Sequence, residues 1–160
     1  MIKYKLDHTD LCILKLLQKE GNLSNNQIAK KLNMSQSAIA RRVVRLTDHR
    51  FIEGFTVILN KKLFEPKLTV LAQVVLNDHS GENTLKFKRR IVKYREILEC
   101  YQTTGTCDFH LKIAIQDLRS YNQFLLEKLS SCGNVRSVQS FFVISVSKNN
   151  SAVPLHLEDI

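Results

Sequence analysis

The tightest constraint on this chain is a short helix that stops and is followed almost at once by a second helix cap. Ser24-Asn25-Asn26-Gln27 reads as a capping box: the serine oxygen accepts from the Gln27 amide while the Gln27 side chain reaches back. Ile28, Ala29 and Leu32 give this helix one apolar face, Asn33 tolerates the left-handed conformation that ends it, and Ser35 caps the next. A longer supporting helix precedes the pair. Asp7 can accept from the Asp10 amide, Leu6, Leu11, Ile13, Leu14 and Leu17 recur at near-helical spacing, and Gly21 supplies a left-handed stop. Two short helices joined by a tight turn, behind a supporting helix, predict a helix-turn-helix.

The third helix carries the chemistry. At about 100° per residue, Ile39, Val43 and Leu46 share one side and face the core. Ser37, Ala38, Arg41, Val44 and Arg45 project on the other. Small residues near the start allow close approach to base edges, and the arginine forks suit guanine edges or phosphates. Arg42, nearer the core flank, is a candidate for the phosphate backbone, and Gln36, in the first turn, for adenine or phosphate. The candidate DNA contacts are therefore Ser35, Gln36, Ser37, Ala38, Arg41, Arg42 and Arg45. A solvated basic helix in an ordinary bundle is the competing reading. The serine caps and the placement of the arginines opposite the core favour DNA. A net charge of +9 points the same way, towards anionic partners.

From Thr69 the pattern turns extended. Leu68 to Leu76 reads as a strand, and Ser80-Gly81-Glu82 opens a helix carrying Leu85, Phe87, Ile91 and Val92. Ile97 to Thr103 and the alternating run from Phe109 to Ile115 are further strands around Thr104-Gly105-Thr106. Asp117 caps a second helix with Leu118, Tyr121, Leu125 and Leu129, stopping at Gly133, and Val135 to Val146 is the last strand. The order β-α-β-β-α-β is that of a ferredoxin-like sandwich. The fold class is thus α+β: a winged-type helix-turn-helix domain of three helices plus a ferredoxin-like βαββαβ domain. Expected boundaries are 1–52 for the first domain, 53–67 for a linker strand and hinge, 68–148 for the second domain and 149–160 for a tail. Phe55 to Leu59 supplies the linker strand and Asn60-Lys61-Lys62 the link.

The last strand has apolar groups on both faces: Val138, Phe142, Ile144 and Val146 on one, Phe141 and Val143 on the other. A sheet covered by helices on one side should be polar on the other. The open face therefore meets a second chain, as a sheet-to-sheet homodimer, or is covered by the chain's own N-terminal segment. Cys12, Cys100, Cys107 and Cys132 form no C-x-x-C and have no histidine at zinc spacing, so no metal is expected. They suit buried positions in a reducing, cytoplasmic compartment. Neither a signal peptide nor an uncharged membrane-spanning run is expected.

Taken together, the chain resembles the Lrp/AsnC family of feast-or-famine transcription regulators along almost its whole length. The resemblance rests on Leu6-Asp7, Asp10, Ile13-Leu14 and Leu17, on Ile28-Ala29 through Leu32 and Ser35, and on Arg42-Val43 with Arg45-Leu46. Phe51-Ile52-Glu53-Gly54-Phe55, Glu99-Cys100-Tyr101 and the Gly105, Asp108-Phe109 turn extend it. Membership implies double-stranded DNA as partner, dimers assembling into octamers or related forms, and a small effector, usually an amino acid, with no cofactor. It places the effector at Thr104, Gly105 and Asp108, with Gln139 beside them. The effector would sit between dimers, with Asp108 receiving an ammonium group and the amides around Gly105 a carboxylate. The other reading of Asp108 is a turn aspartate that bonds local amides and senses nothing. Thr106 and Cys107 stand where the family often has an acidic residue and an aromatic, and Arg50 where it tends to have glycine.

Two other functions fit the architecture. Sirohaem decarboxylases are similar in design, but His8, His49, His79, His110 and His156 are scattered and offer no acid–base pair, so no enzyme is expected. A sensing module without DNA binding would lack the reading helix this chain keeps. Lys86, Lys88, Arg89, Arg90, Lys93 and Arg95 read as a solvated basic face that a DNA-wrapping assembly could use.

Overall fold

The computed structural model describes residues 4–59, 63, 68–149 and 152–155. Asn60, Lys61, Lys62 and His156 lie outside the described residues. The chain divides into two units. The N-terminal unit is Met1–Leu59 together with Asn149–Ile160, and the C-terminal unit is Asn60–Lys148.

In the N-terminal unit, α1 spans His8–Lys19, α2 Asn25–Leu32 and α3 Gln36–Asp48. Local chemistry sets each start. Asp7 accepts from the Asp10 amide at 2.8 Å, Ser24 and Gln27 form a complete capping box, and Ser35 accepts from Ala38 at 3.2 Å. Asn33 ends α2 with φ 53°, in the left-handed region. Leu6, Leu11, Ile13, Leu14, Ile28, Ala29, Ile39 and Leu46 form the buried core, with Val43, Ile52 and Leu155 packed against it. Gly21 does not act as the expected left-handed stop: α1 ends through Glu20 at φ −137° and ψ 79°. The left-handed residue falls instead after α3, at Arg50, with φ 60°. There Phe51 donates to Leu46 and Arg50 to Thr47, the hydrogen-bond pair of a Schellman motif. Beyond Ile52 the chain runs to Leu59 without strand pairing, with Val57 and Ile58 almost fully exposed.

The C-terminal unit contains β1 (Leu68–Leu76), α4 (Gly81–Ile91), β2 (Ile97–Gln102), β3 (Phe109–Ile115), α5 (Leu118–Phe124) and β4 (Val135–Phe142). The sheet order is β2-β3-β1-β4 with every neighbour antiparallel, which is the ferredoxin-like arrangement. Period-2 alternation sends Val70, Ala72, Val74 and Leu76 of β1 and Phe109, Leu111, Ile113 and Ile115 of β3 into one core with Phe87 and Ile91 of α4 and Tyr121, Phe124 and Leu129. Asp117 caps α5 by accepting from Ser120 at 2.7 Å. The helix then widens into a π-turn at Leu125–Leu129 and a 3₁₀ turn at Ser130–Cys132, before Gly133 turns left-handed.

The last strand stops at Phe142 rather than Val146. Its ladder with β1 ends at the Val70–Phe142 pair, followed by one further bond, Val143 N–H to Thr69 O. Ile144 and Val146 are exposed beyond that point.

Candidate nucleic-acid interface and effector turn

Helix α3 is buried along Ile39 and Leu46 and open on the opposite side. Gln36, Ser37, Arg41, Val44 and Arg45 are exposed, and Ala38 is half-buried. Ser35 uses its hydroxyl at the cap, also 3.3 Å from that of Ser37, so its side chain is committed to starting the helix. The guanidinium of Arg45 lies 5.5 Å from the centre of the Tyr4 ring. Tyr4 in turn stacks on His49 at 4.8 Å and meets Phe51 edge-on at 6.0 Å. Arg45 is thus aimed by an aromatic platform while remaining exposed.

Arg42 points elsewhere. Its Nη1 reaches Asp7 Oδ2 at 2.6 Å and Asp10 Oδ1 at 2.7 Å, tying α3 to the start of α1. Asp10 is fully buried, and its other oxygen accepts from the Tyr4 hydroxyl at 2.6 Å and the Asp7 amide at 3.1 Å. A buried carboxylate needs this set of donors, because an unpaired one is costly. Burial pushes the Asp7 carboxyl up, but the Asp10 amide and Arg42 outweigh it and hold the group below the usual carboxylate range. Hydrogen bonds to Asp10 and Asp7 raise Arg42. Burial, and then the bond to Asp10, raise the Tyr4 hydroxyl. Sequence reasoning found the Asp7 cap but missed Tyr4, His49 and the Asp10–Arg42 link. Nothing local in the sequence signals a pairing 32 residues apart.

The basic residues of α4 are largely engaged locally. Lys86 pairs with Glu82 at 2.7 Å, Lys88 reaches Gln102 at 3.4 Å, and Arg90 donates to Tyr94 at 3.1 Å and Ser131 at 2.9 Å.

At the β2–β3 turn, Gly105 has φ 116°, a conformation that only glycine takes readily, and Thr104 and Gly105 are exposed. Asp108 is anchored. Its Oδ2 accepts from the Leu76 amide at 2.7 Å, and its Oδ1 lies 2.9 Å from His79 Nδ1. Its own amide donates to Val74 O. Asp108 therefore pins the turn to β1, with lone pairs left over for a further donor. Cys107 is buried, and its sulfur is 3.1 Å from His110 Nε2.

Gln139 is exposed on β4 and lies in register with Gln73, which is in register with His110, which faces Tyr101. These residues make a polar row across the open face of the sheet. The adjacent row runs Glu99, Lys112, Leu71 and Phe141. In it Lys112 pairs with Glu99 at 2.8 Å, while Leu71 and Phe141 stay nearly half exposed. Sequence reasoning named Gln139 but missed Gln73, His110 and His79, which become neighbours only through register and turn geometry.

Among the described residues no group of three or more His, Cys, Asp or Glu could hold a metal ion, and the four cysteines are free. No described helix is long and apolar enough to cross a membrane.

Residues 6–47 match the model of the AsnC-type helix-turn-helix domain, and residues 69–153 that of the Lrp/AsnC ligand binding domain. The Bkd operon transcriptional regulator of Pseudomonas aeruginosa is 32% identical over 151 residues, covering 94% of this chain and 99% of the relative. The transcriptional regulator AzlB of Bacillus subtilis is 33% identical over 150 residues, covering 94% and 96%. Among solved structures, a transcriptional regulator from Neisseria meningitidis in complex with L-methionine superposes with a TM-score of 0.88. It is 27% identical, and the match covers 94% of this chain and 97% of that one.

Proposed function

The chain belongs to the Lrp/AsnC family of transcription regulators, and from that premise we propose that it is a sequence-specific, effector-modulated DNA-binding regulator whose α3 enters the major groove. One observation carries the reading: Arg41 and Arg45 are exposed on the face of α3 opposite the buried Ile39 and Leu46. Ser37 and Ala38 leave room for base edges at the start of the helix, Gln36 stands in its first turn, and Ser35 fixes that start. Arg41 and Arg45 read guanine edges or grip phosphates. Arg42 serves by holding α3 against α1, and any phosphate contact it makes is shared with Asp7 and Asp10.

The working unit is a homodimer formed through the open sheet face, where exposed Leu71 and Phe141 sit side by side. Two copies of α3 then meet successive half-sites, and dimers join into octamers or related assemblies. The effector is a small molecule of the amino-acid class, as the L-methionine complex of the Neisseria relative suggests. Its site is the turn of Thr104, Gly105 and Asp108 with Gln139 beside it, where Asp108 keeps lone pairs for a further donor. Effector binding changes DNA occupancy by favouring one assembly over another. No cofactor is required, the setting is cytoplasmic, and the protein is not an enzyme. Two histidine pairs, His79 with Asp108 and His110 with Cys107, meet at the β2–β3 turn, where Asp108 also accepts from the Leu76 amide and serves to anchor that turn.

The test is to mix the purified protein with sheared DNA from its source genome at physiological salt and sequence what is retained. A few sites sharing a near-palindrome, lost in the Arg41→Ala/Arg45→Ala variant, are expected. Uniform retention unchanged in that variant would reduce the interaction to general charge attraction.

A further inference from the structure

The N-terminal unit is built from both ends of the chain. Ala152, Val153, Pro154 and Leu155 lie with it, although the sheet of the other unit separates them from α1 in sequence. Ala152, Val153 and Leu155 form one wall of a groove whose other walls include Leu14, Leu17, Gln18, Phe51, Ile52 and Phe55, where α1 meets the chain leaving α3. The contact is specific. The Gln18 carboxamide accepts from the Val153 amide at 2.6 Å and donates to the Val153 carbonyl at 3.2 Å. Leu155 packs on the core cluster with Leu14 and Ile52.

The sequence favours this geometry. A residue before proline is pushed towards the extended conformation, so Pro154 biases Val153 to present its N–H and C=O towards the same side. One carboxamide, with a donor and an acceptor side by side, matches that edge as a neighbouring strand would. Pro154 itself has no N–H that would need a partner. The hold is also light. Ala152, Val153 and Pro154 are exposed, and only Leu155 is half-buried.

We propose that α1 and the exit of α3 form a docking surface whose occupant is the chain's own C-terminal segment, seated reversibly as a latch against the closure of the recognition helix. Seated, the segment backs the residues that close α3, where the Phe51 and Ile52 amides both donate to Leu46 O. Released, it leaves that closure without backing.

The full-length chain tests this with cysteines at Lys19→Cys and Val153→Cys joined by a short bis-maleimide. Neither substitution removes the Gln18 carboxamide or the Val153 backbone groups. Mass spectrometry of the digest should find the two positions linked, at the mass of one chain on a denaturing gel. Adding Leu155→Asp or Gln18→Ala should lower the yield by about five-fold or more, for the loss of roughly 1 kcal/mol. In Leu155→Asp, hydrogen exchange should quicken at the Phe51 and Ile52 amides and stay unchanged in β1. A link mainly between two chains would place a neighbour's tail in the groove and overturn the assignment. Equal yield in the disrupted variants, or unchanged exchange at Phe51 and Ile52, would overturn the latch.

Discussion

Arg41 and Arg42 are adjacent in sequence and similar in chemistry, yet the structure gives them different surroundings. Arg42 is spent on Asp7 and the fully buried Asp10, whereas Arg41 is exposed on the outer face of α3. Removing Arg42 strands a buried carboxylate, so Arg42→Ala should cost about 3 kcal/mol in urea unfolding. Arg41→Ala and Arg45→Ala should each change stability by less than about 0.5 kcal/mol. Their cost should appear in DNA affinity, with the slope of log affinity against log salt falling by about 1 for each phosphate that an arginine no longer grips. The same cluster sets an acid limit. The Asp7 carboxyl is depressed in the folded chain, so its stabilisation is present above the ordinary carboxylate value near pH 4 and fades as pH falls through the lowered value. The thermal midpoint of the parent should drop across that acid window, and the drop should be shallower in Arg42→Ala. An equally steep drop in both would show that Asp7 draws nothing from the pair.

The helix ends separate what local sequence can say from what it cannot. Asp7, Ser24, Ser35 and Asp117 were readable as caps, and Asn33 as a left-handed stop, because a cap is settled by a few neighbouring residues. The strands of the ferredoxin-like unit were equally readable from their alternation. Gly21 misled, because α1 is ended at Glu20 before the glycine is reached. Arg50 gave no signal by its own residue type, since an arginine seldom adopts φ 60°; only the glycine that the family tends to have there marked the position, and the Schellman closure of α3 onto Leu46 imposes the conformation. The π-turn at Leu125–Leu129 and the end of β4 at Phe142 were invisible for a related reason: each depends on what lies alongside in space. Of the candidate site, the exposed arginines followed from helical periodicity. The Arg42 pairing, the His79–Asp108 contact and the Gln73–Gln139 register are products of the tertiary fold. The strain at Arg50 has a measurable consequence: Arg50→Gly should raise the midpoint of unfolding, by about 1 kcal/mol of stability. Ser35→Ala should lower stability by about 1 kcal/mol through removal of the cap. No gain from Arg50→Gly would mean that the side chain offsets its own backbone strain.

For the whole molecule, the proposed homodimer makes a claim on the surface beyond the DNA-binding face. Leu71 and Phe141 are paired in register on the open sheet face and nearly half exposed, while the core beneath them is closed by the helices on the other side. Leu71→Lys/Phe141→Lys should therefore sediment as a monomer that keeps its fold. A dimer surviving that change would move the interface elsewhere. Loss of the dimer should also weaken binding to paired half-sites far more than binding to a single one. All of these effects converge on α3. The most direct test is the ratio of affinities for a selected genomic site and for random duplex of equal length, at one fixed physiological salt concentration, in the parent and in Arg41→Ala/Arg45→Ala. A strong preference in the parent, falling towards unity in the variant while the unfolding midpoint stays put, is the expected result. A preference that persists undiminished in the variant would contradict it.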